Sequence, residues 1–408
     1  GLGDVYKRQI LVGILLFAKA KLTAKGDVKI SINNGDRVIT TEPGSSLLST
    51  LAGQKIFLPS ACGGKGSCGM CKCQVDSGAG SILPTETGFF SYKQQHENWR
   101  LACQVKVKEN IEMRIPESVM GIKKWECTVV SNRNISTFLK EFVVKLPEGE
   151  NLKFKSGGYI QIDVPALDVD FKDMIIDEKY KGDWEKMKMF DLKMHNPEPT
   201  YRAYSMANSP AEGNIIMLNI RIATPPFDRA AGAFAPVNPG ICSSFIFSRK
   251  PGDKVTISGP YGEFFLRETN NEMMFIGGGA GMAPMRSHIF NLFHTIHTDR
   301  KVTFWYGARA LQEAPYVDEF NKIQEENPNF HWTLALDRPD PVADAAGVAY
   351  KPGFVHQVIF ENYLKNHENP EDIEYYLCGP PMMIQAVTKM LYDLGVPDEN
   401  VMYDNFGG

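Results

Sequence analysis

The stretch Cys62-Gly-Gly-Lys-Gly-Ser-Cys68-Gly-Met-Cys71, together with Cys103, decides how the first part of this 408-residue chain folds. The four cysteines have the spacing Cys-x5-Cys-x2-Cys-x31-Cys. Three thiolates on one loop and a distant fourth are what a [2Fe-2S] cluster needs, and glycines allow backbone N–H groups of the loop to point at its sulfurs. The first gap is one residue longer than in plant-type clusters. The pattern predicts a cluster bound by Cys62, Cys68, Cys71 and Cys103.

A structural zinc site is the alternative interpretation of these cysteines. Zinc usually takes two paired sets of ligands, whereas Cys103 has no cysteine or histidine near it in sequence, which favours iron. Eight cysteines in so long a chain are too sparse for a secreted disulfide scaffold, and their crowding indicates metal binding in a reducing compartment. Cys73 is assigned to the strand that follows, although its closeness would allow it to replace a ligand. Cys127 is assigned to packing.

Short strands surround the cysteine loop. The alternation of Val28, Ile30 and Ile32, then a turn over residues 33–36, predicts a β-hairpin. Ser45 or Ser46 is suited to cap a short helix that follows. We expect a small α+β domain that ends near Glu117.

The middle of the chain is rich in strands. Apolar runs at Cys127–Val130, Glu141–Leu146, Ile215–Ile222 and Lys254–Ile257 are separated by Pro and Gly, which predicts a small β-barrel. A polar stretch from Asp168 to Pro199 interrupts them. An insert of that length is either a surface loop or a docking element.

Two motifs in the barrel predict a flavin site. In Arg202-Ala203-Tyr204-Ser205 the arginine can bind a diphosphate, the tyrosine can lie on the isoalloxazine or ribityl group, and the serine can reach flavin N5. Gly240-Ile241-Cys242-Ser243-Ser244 is a helix start suited to a pyrophosphate. Each motif alone could be a strand end or a helix cap. Their order, with Gly259-Pro-Tyr261-Gly262 after them, favours FAD.

The last third alternates strand and helix, as in a doubly wound parallel sheet. Strands are expected at Met273–Ile276, Val302–Tyr306, Trp332–Leu336 and Tyr375–Cys378, with a helix over Met282–His294. Gly277-Gly278-Gly279-Ala280-Gly281-Met282-Ala283-Pro284 joins the first strand to this helix, where backbone amides can face a dinucleotide diphosphate. Met282 occupies the third glycine position of the Rossmann fingerprint, so the motif alone could be any glycine-rich turn.

Two further segments complete the predicted nicotinamide site. Cys378-Gly379-Pro380-Pro381 ends a late strand, where such sheets collect ligand groups, and its thiol could lie beside the nicotinamide. Phe406 offers an aromatic face near the flavin, unless it is only a packing residue. Hydride transfer needs two rings in contact and no protein acid or base. We therefore assign catalytic positions to Ser205, Cys378 and Phe406.

Composition sets further limits. A hydrophobic fraction of 43% and a charged fraction of 23% are those of folded protein, and a net charge of -4 gives no electrostatic reason to bind nucleic acid. Ile10–Ala18 is a run of nine apolar residues, about 14 Å as a helix against about 30 Å of hydrocarbon. A signal-peptide core is one interpretation, but no small-residue cleavage site follows. We expect the end of a truncated membrane anchor, with three following lysines on the cytoplasmic side.

From about Lys21 the chain resembles the F subunit of the bacterial Na⁺-translocating NADH:quinone oxidoreductase, a ferredoxin-like domain fused to a ferredoxin-NADP⁺-reductase-like module. The cysteine spacing, Arg-x-Tyr-Ser, the glycine-rich turn, Tyr306-Gly-Ala-Arg309, the terminal Asp404-Asn-Phe-Gly-Gly and the long insert carry the resemblance. It implies a truncated anchor at 1–25, a β-grasp [2Fe-2S] ferredoxin domain at 26–120, an FAD-binding barrel at 121–267 and an NADH-binding domain at 268–408.

The resemblance also implies a function. Hydride would pass from NADH over Gly277–Gly281 and Cys378–Pro380 to FAD at Arg202, Tyr204, Ser205 and Gly240–Ser244, then as single electrons to the cluster. Partner subunits in the inner membrane would reduce ubiquinone and export Na⁺, with this subunit on the cytoplasmic face. Arg309 could instead bind the 2'-phosphate of NADPH. The competing functions are a soluble reductase component of an oxygenase and a non-enzymatic zinc-binding adaptor.

Overall fold

The computed structural model describes Val12, residues 26–228, Ala230 and residues 232–404. The predicted anchor, apart from Val12, and Phe406 lie outside the described residues. None of the helices in the described ranges is long and apolar enough to cross a bilayer. Two compact units divide at Lys123 and Lys124, three residues beyond the predicted end of the ferredoxin-like domain.

The first unit is a mixed five-stranded sheet with short helices. Its elements are β1 (Val28–Ile32), β2 (Arg37–Thr41), α1 (Leu47–Gly53), β3 (Lys72–Ser77), α2 (Pro84–Thr87), α3 (Tyr92–His96), β4 (Trp99–Leu101), β5 (Ile111–Arg114) and α4 (Glu117–Met120). The strand order is β2-β1-β5-β3-β4, with β1 antiparallel to β2 and parallel to β5. The predicted hairpin and the β-grasp class are thereby confirmed.

Local sequence explains why these elements form. In β1 the apolar residues Val28, Ile30 and Ile32 point inward, while Lys29 is exposed. Ser46, rather than Ser45, caps the N-terminus of α1, because its Oγ accepts a hydrogen bond from the Ser49 backbone N–H at 3.2 Å. Leu47, Leu48 and Leu51 on α1 are buried, so the helix adds its apolar face to the core of this unit.

The second unit begins with an antiparallel barrel. Its elements are β6 (Lys123–Asn134), β7 (Leu139–Lys145), β8 (Tyr159–Val164), β9 (Leu167–Asp170), α5 (Glu178–Lys186), β10 (Lys193–Asn196), β11 (Thr200–Ser205), β12 (Ile215–Arg221), β13 (Phe227–Asp228), β14 (Ala233–Phe234), α6 (Ile241–Ser248) and β15 (Lys254–Tyr261). Six strands form a sheet in the order β11-β8-β15-β6-β7-β12. A bridge between Met206 and Leu218 joins its two edges, which closes the barrel.

The insert at 168–199 is folded, which argues against the first of its two interpretations, a surface loop, while the docking element stays a prediction. Strands β9 and β10 pair antiparallel, and α5 lies between them in sequence. Phe171, Trp184 and Met189 are fully buried in the barrel core. The Trp184 indole N–H donates to the Thr137 carbonyl at 2.8 Å. Polar residues dominate the sequence of the insert, which hid the few apolar side chains that anchor it.

The remaining part of the second unit is a parallel, doubly wound sheet, as predicted. Its elements are β16 (Met273–Gly278), α7 (Met282–Asn291), β17 (Val302–Ala308), α8 (Val317–Glu326), β18 (Phe330–Leu336), α9 (Pro341–Ala346), β19 (Lys351–Pro352), α10 (Val355–Asn362), β20 (Glu374–Cys378), α11 (Pro381–Asp393) and β21 (Val401–Asp404). The strand order is β19-β18-β17-β16-β20-β21.

Strand order places a ligand cleft at the end of β16. Strands β17, β18 and β19 follow one another on one side of β16, and the chain then crosses to place β20 and β21 on the other side. Such a reversal opens a crevice at the carboxyl ends of the strands, where ligands bind. The predicted helix over Met282–His294 is shorter than expected, because α7 ends at Asn291 and a π-helical turn, Leu292–Ile296, follows.

Candidate functional site

The four predicted cluster cysteines lie within the first unit as two close pairs. Cys62 Sγ and Cys68 Sγ are 3.4 Å apart. Cys71 and Cys103 share a side-chain hydrogen bond. Across the described ranges, no three His, Cys, Asp or Glu side chains form a group suited to a single metal ion. Two close pairs of cysteines are the arrangement that a two-iron cluster needs, because each iron takes two cysteines.

Glycines in the cysteine loop are required by its backbone. Gly66 and Gly69 have φ of +79° and +68°. A Cβ on Gly69 would lie 2.3 Å from the ring of Phe89, and one on Gly66 would lie 2.5 Å from Gln104 Nε2. A side chain at either position would therefore be strained and would collide with a neighbour.

One thiol of each pair is activated by its surroundings. Burial acts to raise the pKa of Cys62, but hydrogen bonds from the Ser67 backbone and from Cys68 outweigh it and lower the pKa to about 6. The hydrogen bond from Cys71 lowers the pKa of Cys103 to about 7. The thiolate is the form that binds a metal, so each pair offers a thiol that ionises readily.

Cys73 occupies β3, as predicted, and is fully buried. Its Sγ lies 3.8 Å from the Arg100 carbonyl oxygen. Burial raises the pKa of the Cys73 thiol to about 12. A neutral thiol in this setting is a packing group.

The flavin motif of the barrel lies on an edge strand. Strand β11 pairs with β8 along its length on one side, and on the other side the barrel is joined to β12 by the bridge between Met206 and Leu218. Arg202 on β11 donates to the Tyr201 carbonyl at 2.7 Å. Tyr204 packs against the barrel core, and burial raises its pKa.

The second flavin motif begins helix α6. Ser244 Oγ is completely buried and has no hydrogen-bond partner among the described residues. A Cβ on Gly240 would lie 2.6 Å from Ala223 Cβ. The N-terminus of α6 thus has an unpaired hydroxyl beside it and an N-cap residue that must be glycine. This arrangement fits an anionic ligand such as a pyrophosphate.

The nicotinamide motifs adjoin at the end of β16. Residues 279–281 form a 3-10 turn, and Met282 then begins α7. A Cβ on Gly281 would lie 1.9 Å from the Cys378 carbonyl oxygen, and one on Gly379 would lie 3.1 Å from the Gly278 carbonyl oxygen. The structure therefore brings together the two glycine-containing segments that were predicted to hold the dinucleotide, and neither Gly281 nor Gly379 has room for a side chain.

Ser205, Cys378 and Asp404 meet where the barrel faces the nucleotide-binding sheet. Ser205 Oγ donates to Asp404 Oδ2 at 2.8 Å. Asp404 lies beside Cys378 on the paired ends of β21 and β20. Burial raises the pKa of the Asp404 carboxyl, and the bond from Ser205 opposes this in part. Burial, aided by the Asp404 charge, raises the pKa of Cys378, so its thiol is neutral.

Sequence reasoning missed Asp404 as a site residue. Its only signal was its position at the end of the last strand, the same location that favoured Cys378. Phe406, the third predicted catalytic residue, lies outside the described residues.

A polar network between the barrel and the nucleotide-binding sheet was also missed. Arg286 on α7 donates to Glu212 at 2.8 Å and to the Ala207 carbonyl at 3.0 Å. Tyr316, before α8, donates to Glu141 of β7 at 2.7 Å. These bonds join the barrel to the nucleotide-binding sheet, and none of the residues belongs to a recognisable motif.

Family models match all three parts of the chain. The 2Fe-2S iron-sulfur cluster binding domain matches residues 30–108, the oxidoreductase FAD-binding domain residues 186–266, and the oxidoreductase NAD-binding domain residues 275–389. Among solved structures, a cytochrome P450 reductase from Amycolatopsis is 24% identical with a TM-score of 0.62, and the ferredoxin reductase in carbazole 1,9a-dioxygenase is 25% identical with a TM-score of 0.58. Each comparison covers 93% of this chain and 98% of the other. Fold and site define an iron–sulfur flavoprotein reductase.

Curated relatives identify the family within this class. The F subunit of the Na(+)-translocating NADH-quinone reductase from Methylococcus capsulatus is 54% identical over 98% of this chain and 96% of its own length. The corresponding F subunit from Pseudomonas aeruginosa is 52% identical over 98% and 95%. The chain belongs to the F-subunit family of the Na⁺-translocating NADH-quinone reductases.

Proposed function

We propose that this chain oxidises NADH and passes the electrons to partner subunits of a Na⁺-translocating NADH-quinone reductase. The observation that carries the proposal is the junction of Ser205, Asp404 and Cys378. It joins the motif predicted to meet the flavin ring to the motif predicted to meet the nicotinamide, at the mouth of the cleft. Full-length relatives with this name support the same role.

Each cofactor has a proposed set of residues. FAD is held by residues 202–205 of β11 and residues 240–244 at the start of α6. NADH is held by Gly277–Gly281 with Pro284, and by Cys378–Pro380. Phe406 is proposed to shield the flavin ring. When bound, FAD supplies the conversion between two-electron and one-electron transfer, and the cluster supplies single-electron acceptance.

The side chains in the cleft orient the bound ligands and exclude water, and they do not exchange protons with bulk solvent. The Ser205 hydroxyl points its proton at Asp404, which leaves its oxygen lone pairs to accept a hydrogen bond from a ligand N–H. Cys378 is fully buried and neutral, so its thiol packs in the core of the sheet at the end of β20, next to the proposed nicotinamide position. Both groups are set in place before a ligand arrives, which lowers the entropic cost of alignment.

Electrons leave through the first unit in this proposal. Cys62, Cys68, Cys71 and Cys103 bind the [2Fe-2S] cluster, which reduces one of the partner subunits, and quinone is reduced further along the complex. The two cysteine pairs and the positive-φ glycines support this ligand set.

A membrane anchor is part of the proposal. The apolar run Ile10–Ala18, followed by lysines, supports a site at the inner membrane with the catalytic domains on the cytoplasmic side. Fractionation of cells that express the native gene tests this point. Recovery of the chain only in the soluble fraction would contradict it.

A soluble reductase of an oxygenase is the second candidate, because oxygenase reductases share the fold. The long insert and the apolar N-terminal run favour the first. An anaerobic titration with NADH, followed by flavin and cluster absorbance, tests the shared redox function, and a parallel titration with NADPH tests the cofactor preference at Arg309. Bleaching of both centres by NADH is expected. No bleaching by either nucleotide would refute the proposal, and quinone reduction by the assembled complex separates the two candidates.

A further inference from the structure

Gln104 directly follows one of the proposed cluster ligands and contacts its sulfur. The Gln104 Nε2 amide donates to Cys103 Sγ at 3.5 Å. The same amide nitrogen lies against Gly66 of the cysteine loop, since a Cβ there would come within 2.5 Å of it. The donor is therefore held between a proposed ligand and the loop that would surround the cluster.

The other end of the amide is also held. Thr85 Oγ1 donates to Gln104 Oε1 at 3.2 Å. The orientation is selected at the other end, because the sulfur of a cluster ligand can only accept, which turns the NH₂ group to Cys103 and leaves Oε1 to accept from the Thr85 hydroxyl.

Thr85 is fixed by a buried ion pair. Its neighbour Glu86, in α2, is completely buried and binds Arg100 at 2.8 Å. Glu86 also accepts the Leu101 backbone N–H at 2.9 Å. Leu101 lies two residues before Cys103, so α2 and the ligand-bearing turn are held together at this point.

Hydrogen bonds to the sulfurs of a cluster change its reduction potential. Reduction adds negative charge, which a nearby N–H stabilises, so each such bond favours the reduced form. A side-chain donor on a proposed ligand sulfur therefore raises the potential of the cluster. The position of this donor depends on a second side chain from another segment.

We propose that Gln104, oriented by Thr85, sets the reduction potential of the [2Fe-2S] cluster. The inference rests on the proposed function, because it requires a cluster on the four cysteines. Gln104 is a positioning residue in this role: it contacts a ligand sulfur and does not itself accept an electron.

Gln104→Leu tests the proposal in the complete chain, with a readout that is independent of turnover. The midpoint potential is measured by redox titration with detection of the reduced cluster by electron paramagnetic resonance. Loss of the donor should reduce the equilibrium constant for reduction of the cluster by up to roughly tenfold. This corresponds to a fall of up to about 59 mV in the one-electron midpoint potential. The same change at the exposed Gln54 is the matched control and should leave the potential unchanged.

Thr85→Val and Thr85→Ser separate orientation from packing. Valine keeps the shape of the side chain but removes the hydroxyl, so Thr85→Val should lower the potential, as Gln104→Leu does. Serine keeps the hydroxyl, so Thr85→Ser should have the potential of the unsubstituted chain. Unchanged potentials in Gln104→Leu and Thr85→Val, with iron and labile sulfide intact, would overturn the proposal. If Gln104→Leu loses its cluster, the Thr85 pair decides. Absence of iron and sulfide from the unsubstituted chain would instead refute the proposed function.

Discussion

Replacing Glu86 by Gln should destabilise the first unit strongly, because it breaks a buried ion pair without removing the cation. Both partners are buried, with 0% of Glu86 and 5% of Arg100 exposed. Arg100 donates to Glu86 through Nε and Nη2, at distances down to 2.8 Å, and Glu86 accepts two backbone N–H groups as well. Loss of one partner of such a pair leaves an uncompensated buried charge, which costs about 3–5 kcal/mol.

Urea unfolding of the complete chain, followed by visible absorbance of the cluster, measures this loss. With a urea dependence of roughly 1.5 kcal/mol per M, the expected fall in the midpoint is about 2–3 M. Glu97→Gln is the matched control, because Glu97 pairs with Lys93 at the surface of the same unit and should change stability by at most about 1 kcal/mol. Equal midpoints for the two variants would refute the reasoning.

Three further outcomes are expected. Ser205→Ala should slow flavin reduction by NADH about tenfold or more in stopped-flow measurements while FAD stays bound, because Asp404 loses the hydroxyl that donates to it. Ser205→Thr should recover part of the rate, and an unchanged rate in Ser205→Ala would contradict this. Gly281→Ala should abolish NADH binding by calorimetry but not FAD content, because its Cβ would meet the Cys378 carbonyl at 1.9 Å. Burial lowers the pKa of Lys140 to about 8, so the unfolded chain binds the extra proton and stability rises from about pH 8 to 10.5; Lys140→Met should remove this rise in the free energy of unfolding.

Local signals account for what could be predicted from the sequence. The cysteine spacing, the hairpin at Val28–Thr41 and the strand-glycine-helix pattern at Met273–Asn291 are each encoded within a few residues. The backbone also imposes residue choices that are visible in the sequence, since Gly66, Gly69, Gly281 and Gly379 are positions where an added Cβ would collide with a neighbour. These segments could be assigned without knowing what they pack against.

Long-range contacts account for what could not be predicted. Ser205 and Asp404 are 199 residues apart, and Arg286 and Glu212 are 74 apart, so no local pattern links them. Trp184 is hidden for a related reason, since one aromatic residue in a charged stretch gives no periodicity although it is fully buried. A hydrogen bond between distant elements becomes visible only when the fold has brought its two ends together.

The indole of Trp184 has a practical consequence for anyone who wishes to shorten this reductase. Excising the segment between β9 and β10 would remove a large side chain from the middle of the flavin-binding domain and leave a hole beside Phe247, whose ring stacks on the indole at 6.1 Å. A truncated version would need a bulky replacement side chain on the barrel wall before it could fold as tightly.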